Sequence, residues 1–167
     1  MNKKDLAGIL IGAVLLAGVL SWMFTAPYLG NTGLARTPGV IIGGTQTPAL
    51  DDFTPLNESN PGPLQMKQAG FPPFVNYLSW VGTTDGVITA THPDDAYWAQ
   101  RVRDRGGDGW LRIGDATFAM EAEEIFGDER MDMMQQWADM VGLTLDDSLY
   151  EGAAPLREFE VFFWKPR

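Results

Sequence analysis

Residues Trp110–Ile125 read WLRIGDATFAMEAEEI, and this stretch decides the fold. Trp110 to Ile113 is a short β-prone run, Gly114–Asp115 is a two-residue turn signal, and Ala116 to Ile125 runs back. That pattern is a β-hairpin. On the return strand Phe118, Met120 and Ala122 share one face, and Glu121 and Glu123 share the other. This is the period of two expected of a strand with one buried side.

On the N-terminal side of the hairpin, Gly106–Gly107 ends a helix that His92-Pro93-Asp94-Asp95 is expected to open. Proline at the first helical position has no amide to waste, and the two acids meet the positive end of the helix dipole. Arg101, Arg103 and Arg105 load its last turn, and Tyr97, Trp98 and Val102 form the predicted buried stripe. Ahead of it, Phe74–Trp80 (FVNYLSW) and Val87–Thr91 read as two strands joined through Thr83-Thr84-Asp85-Gly86. On the C-terminal side, Asp128 is expected to cap a helix to about Met140. Met131, Met134, Ala138 and Val141 lie at helical spacing there, and Gly142 stands at its end. Glu158–Trp164 (EFEVFFW) is the closing strand. Strand, strand, helix, strand, strand, helix, strand makes an α+β domain with a small barrel or sheet over residues 74–167.

Further out the composition changes. Eight of the eleven prolines fall between Ala26 and Pro73, together with seven glycines, so no long helix fits there. Residues 27–73 read as an extended tether with one or two short strands. Gly39–Gly43 (GVIIG) is one such strand, and Asn60-Pro61-Gly62-Pro63 is a turn followed by extended chain. Residues 1–26 form a tip and an anchor. Leu6 to Thr25 carries no charge, and roughly 20 such residues cross a hydrocarbon layer of about 30 Å. Lys3 and Lys4 precede the run and no basic residue follows until Arg36. The positive-inside rule thus keeps the N-terminus cytoplasmic and sends the domain across, which is the periplasm if the membrane is a bacterial inner membrane. Trp22 and Tyr28 stand near the far interface. A cleaved signal peptide is the competing reading, but Trp22, Met23 and Phe24 ahead of Ala26-Pro27 suit a peptidase poorly. Gly8 and Gly12 form a GxxxG pair, a spacing that lets a second helix approach closely.

Composition also excludes chemistry. The 167-residue chain has no cysteine, which rules out disulfides, thiolate metal sites and cysteine nucleophiles. One histidine, His92, rules out a multi-histidine metal or haem site within the chain. A formal charge of -10 argues against nucleic acid as a partner.

The run Tyr97–Ile125 (YWAQRVRDRGGDGWLRIGDATFAMEAEEI), the Asp128-Glu129-Arg130 helix start and the terminal EVFFWKPR resemble the split β-barrel flavin and deazaflavin oxidoreductases. More narrowly they resemble the branch of deazaflavin-dependent nitroreductases or quinone reductases. The resemblance covers roughly residues 74–167 and implies a split-β-barrel-like domain behind the single transmembrane helix. It also implies FMN or deazaflavin as cofactor, a quinone-like substrate, and a basic glycine- and serine-containing loop for the cofactor phosphate. The corresponding stretch here, Arg36 to Phe74, offers Arg36 and Lys67 as cations against Asp51, Asp52 and Glu58. A phosphate wants charge-assisted donors or a helix N-terminus.

No catalytic residue and no metal ligand set stands out. His92, at a strand-to-helix junction, is either a ligand-facing group or part of a helix cap. With Trp98 and Arg101 it makes the candidate cofactor-binding set. Ser79, His92 and an aspartate lack a nucleophile-elbow sequence. Arg101, Arg103, Arg105 and Arg112 are either an anion site or helix-end charge paired with Asp104 and Asp108. Trp80, Trp98, Trp110, Trp137 and Trp164 suggest an aromatic core. Two functions follow. The first is a cofactor-free, membrane-anchored accessory subunit of a larger energy-transducing membrane complex, with integral membrane subunits and a basic soluble electron carrier as partners. The alternative is a membrane-tethered flavin- or deazaflavin-dependent oxidoreductase.

Overall fold

The computed structural model describes residues 3–25, 40–71, 73, 75–93 and 96–167. The expectations placed on the side chain of Trp22 and on Tyr28, Arg36, Phe74 and the Asp94–Asp95 pair lie outside the described residues. Lys3–Thr25 is one helix, α1, of 23 residues, and its window Lys4–Ser21 has a mean hydropathy of 1.8. At about 1.5 Å per residue the helix is long and apolar enough to cross a membrane.

The remaining elements build a nearly closed antiparallel barrel-like sheet. In chain order they are β1 (Thr45–Gln46), α2 (Leu56–Ser59), β2 (Leu64–Gln68), β3 (Val75–Leu78), β4 (Trp80–Gly82) and β5 (Val87–Thr91). They continue with α3 (Tyr97–Arg105), β6 (Asp108–Ile113), β7 (Ala116–Ile125), α4 (Gly127–Val141), a 3-10 turn (Leu156–Glu158) and β8 (Glu160–Pro166). The sheet runs β3-β2-β6-β7-β8-β5-β4, with β1 pairing parallel to β7. The two outermost strands, β3 and β4, are separated in the chain by Ser79 alone. A sheet whose two edges are joined by one residue must curl until they meet, which gives the barrel shape.

The β6–β7 hairpin stands as read, with Ile113 opposite Ala116 across the Gly114–Asp115 turn. FVNYLSW differs from expectation. Val75–Leu78 pair with β2 and Trp80 pairs with β5, so the run serves both edges of the sheet. The sheet also starts ahead of residue 74. Leu64, Met66 and Gln68 are buried on alternate positions of β2, which lies between β3 and β6. Phe53 is fully buried, edge-on to Phe118 with ring centroids 5.3 Å apart. The later part of the Pro/Gly-rich stretch is thus built into the barrel. No strand forms at residues 40–43, because Gly43 and Gly44 both take positive φ and turn the chain into β1 instead. A Cβ on Gly44 would stand 2.4 Å from Thr117 Oγ1 and 2.9 Å from the Asp115 carbonyl, so no side chain fits.

Two cores explain the sequence of β8. Phe162 and Trp164 join the barrel interior with Leu64, Met66, Leu111 and Met120. Val161 and Phe163 join a second core beneath α4 with Ile88, Met134, Trp137 and Ala138. A strand covered on both faces reads as a continuous apolar run rather than an alternation. α3 closes the barrel interior with Trp98, Ala99 and Val102. It begins at Tyr97 rather than at Pro93, and Tyr97 is exposed. In α4 the predicted stripe is displaced. Met134, Trp137 and Ala138 are buried, Val141 is exposed, and Asp128 lies in the first turn behind the Phe126 cap position.

Candidate functional site

His92 and Trp98 line one cavity of about 350 Å³, together with Tyr77, Ser79, Trp137 and Phe159. β3 supplies Tyr77, α3 supplies Trp98 and α4 supplies Trp137, while Ser79 is the residue that joins the two sheet edges. His92 follows β5 directly and is clamped between rings. Its imidazole lies 4.4 Å from Phe159 and 5.6 Å from Tyr150, centroid to centroid. Trp98 lies 4.6 Å from Phe162, and its carbonyl accepts a 2.8 Å hydrogen bond from Gln68 Nε2. No Asp, Glu, Lys or Arg is among the described residues lining the cavity.

Two ring nitrogens of this wall lack partners. His92 Nε2 and Trp137 Nε1 are shut off from solvent and have no hydrogen-bond partner among the described residues. A buried polar group left in that state costs about 1–3 kcal/mol. The sequence marks Trp137 only as one of five tryptophans of an aromatic core, and nothing in its spacing announces an orphaned donor. Burial pushes the Tyr77 phenol up, with Arg112 pulling the other way. Ser79 and His92 share the cavity, yet no carboxylate completes a triad there among the described residues.

One rim of the cavity is the irregular segment 143–155, which contributes Leu149 to the lining and Tyr150 to the stack on His92. Asp147 orders it. One of its carboxylate oxygens accepts hydrogen bonds from the Thr144 amide (2.7 Å) and hydroxyl (2.8 Å), and these hold its pKa below the usual carboxylate value.

Arg101 does not join His92 and Trp98. It is buried, and its Nη2 donates to the Ala69 carbonyl at 2.9 Å. Arg105 donates to the Phe71 carbonyl at 2.8 Å, so α3 pins the connection from β2 to β3. Arg103 makes a two-pronged contact with Glu124 at 2.7 and 2.6 Å and reaches Glu160 at 2.9 Å. The hydrogen bonds it donates to Glu124, followed by that to Glu160, hold its guanidinium more firmly protonated than usual. Arg112 donates to the carbonyls of Gly114 and Ile42. The arginines thus hold carbonyls and glutamates of the barrel rather than Asp104, and Asp108 pairs instead with Arg167 at 3.1 Å. A planar guanidinium already forked onto two oxygens offers a phosphate little.

Beside Arg103 a groove of about 530 Å³ runs along β7, lined by Gly107, Glu121, Glu123, Phe126 and Lys165. Phe126 is 69% exposed, and Lys165 pairs with Glu123 at 3.1 Å. No group of three or more metal-ligating side chains occurs among the described residues. No protein-family model matches the chain, and no curated protein matches it in sequence.

Proposed function

We propose that this chain is a membrane-anchored accessory subunit of a larger membrane protein complex, without a reaction of its own, whose barrel docks on partner proteins. The observation that carries the reading is the state of α1. Among the described residues, none buries any of the Lys4–Ser21 window, and none would come within 4 Å of a Cβ at Gly8 or Gly12. A small-residue stripe left open in this way suits close packing against a helix of another integral membrane subunit. In this reading the N-terminus is cytoplasmic and the barrel periplasmic across an inner membrane, an orientation that Lys3 and Lys4 ahead of the apolar run favour.

The barrel's chemistry supports docking over catalysis. Its four clustered arginines are committed to the barrel's own oxygens, and the sequence carries 22 acidic against 12 basic residues. Such a surface attracts a basic partner and speeds its encounter, as for a soluble electron carrier of an energy-transducing complex. The groove lined by exposed Phe126 together with Glu121 and Glu123 is the contact face that this reading selects.

A titration separates this reading from a membrane-tethered flavin or deazaflavin oxidoreductase. The full chain in mild detergent is expected to leave the fluorescence of FMN and of deazaflavin unchanged. Saturable micromolar binding of either cofactor would replace the accessory reading with the enzyme.

A further inference from the structure

We propose that the cavity between β3 and β5 takes up an extended, uncharged segment of a partner polypeptide, which adds to the sheet as a short strand. This contact rests on the docking role and is separate from the groove along β7. The cavity meets residues 76–79 and 90–92 in unbroken succession. Successive side chains of a strand point to opposite faces, so a cavity over one face meets every second residue. A cavity that meets each residue in turn lies along the strand edge, and this one lies along two edges at once.

Both edges are open to a further strand among the described residues. The sheet path ends at β3, which pairs with β2 alone. β4 accompanies β5 only as far as Trp80 opposite Thr89. Beyond that point Ala90 and Thr91 still pair with Val161 and Glu160 of β8, which keeps them extended, while no strand lies on their other side. An open strand edge presents a row of amides and carbonyls that another backbone can match. Natural sheets blunt such edges with charged side chains or proline, yet residues 75–79 and 90–92 carry no Asp, Glu, Lys, Arg or Pro.

The lining sets the rest of the chemistry. Trp98, Trp137 and Phe159 give apolar walls, and no formal charge stands among the described lining residues to receive a charged segment. Such a segment would lose its hydration without a counter-charge. β3 offers four residues for pairing, a length of roughly 13 Å. A second copy of the chain is a poor occupant, because two bodies of formal charge -10 repel each other.

The test uses the full chain, ¹⁵N-labelled, in lipid nanodiscs, with the tetrapeptide acetyl-Thr-Val-Thr-Val-amide as probe. The peptide is expected to shift the backbone amides of Asn76, Leu78, Ala90 and Thr91 saturably, with a Kd of about 0.1–1 mM for so short a segment. The same peptide methylated on every amide nitrogen keeps the side chains and loses the donors, and is expected to bind at least tenfold more weakly. Asn76→Lys and Thr91→Lys each place on one edge the charge that natural sheets use against added strands. Each is expected to weaken the peptide at least fivefold. No saturable shift of these amides up to about 10 mM peptide would overturn the proposal. Equal binding of the methylated peptide, or full affinity in both variants, would overturn it as well. Shifts of the same amides with protein concentration alone would assign the edges to a second copy and overturn it too. None of these results alters which subunits accompany the chain from its native membrane, so this contact and the docking role fail separately.

Discussion

A fragment beginning at residue 74 is expected to remain unfolded, whereas one beginning at residue 40 folds to the same barrel as the full chain. The shorter fragment keeps every strand whose pattern is most regular, but it removes β2 from between β3 and β6. β3 then loses its sole strand partner, and β6 keeps β7 alone. Phe53, Leu64 and Met66, each 0–1% exposed, leave the barrel interior with it. At roughly 1.5–3 kcal/mol for each fully buried side chain, their loss alone removes about 5–9 kcal/mol. A domain of ordinary size has only about 5–15 kcal/mol in total. Circular dichroism and thermal melts of the two fragments check this. A cooperative melt of the 74–167 fragment at the temperature of the longer one would contradict the placement of β2.

Trp164→Ala is expected to be the most damaging single substitution in the barrel. Trp164 is fully buried on β8, the strand between β7 and β5, and its indole nitrogen donates to Thr89 Oγ1 at 3.0 Å. Thr89 is itself fully buried, so the substitution leaves both a cavity and a hydroxyl deprived of its donor. Large-to-small changes of this kind cost about 3–5 kcal/mol, and the stranded hydroxyl adds to that. For the folded portion this corresponds to a fall in Tm of roughly 10–20 °C. Trp164→Phe, which refills most of the space and loses only the hydrogen bond, is expected to fall by less than half as much. Differential scanning fluorimetry of the three proteins separates these outcomes, and equal melting of Trp164→Ala and the parent would refute the packing account.

The parts of the fold legible in the sequence are those in which local signals agree. The β6–β7 hairpin has a two-residue turn and a clean alternation, and α4 ends on a glycine in the left-handed conformation. β2 was hidden because LQMKQ is short, mildly apolar and flanked by Pro61, Pro63 and Gly70, so local composition spoke for tether. The alternate burial of Leu64 and Met66 arises from long-range pairing, which composition does not reveal. FVNYLSW was recognisable as β-prone, but propensity does not say which partner a strand finds, and here Ser79 divides it between two. Tyr97 and Val141 sit at helical spacing with buried residues, yet both stay exposed, which spacing alone does not tell.

The candidate site was legible to a similar degree. His92 and Trp98 stood out by type and position, and they do share a cavity. Arg101 stood out for its charge, and the fold uses that charge on the Ala69 carbonyl. The orphaned nitrogens of His92 and Trp137 come from two elements far apart in the chain, so they become visible only once α4 is packed beside β5.

The account as a whole turns on what surrounds the open helix in its own membrane. Native membranes are solubilised in a mild detergent, and the tagged full chain is isolated and weighed by size-exclusion chromatography with light scattering. The subunits present are then counted by mass spectrometry. The expected result is a larger particle that contains this chain at a fixed ratio to integral membrane subunits. A solitary chain in its micelle, colourless or carrying a yellow or fluorescent prosthetic group, would contradict it.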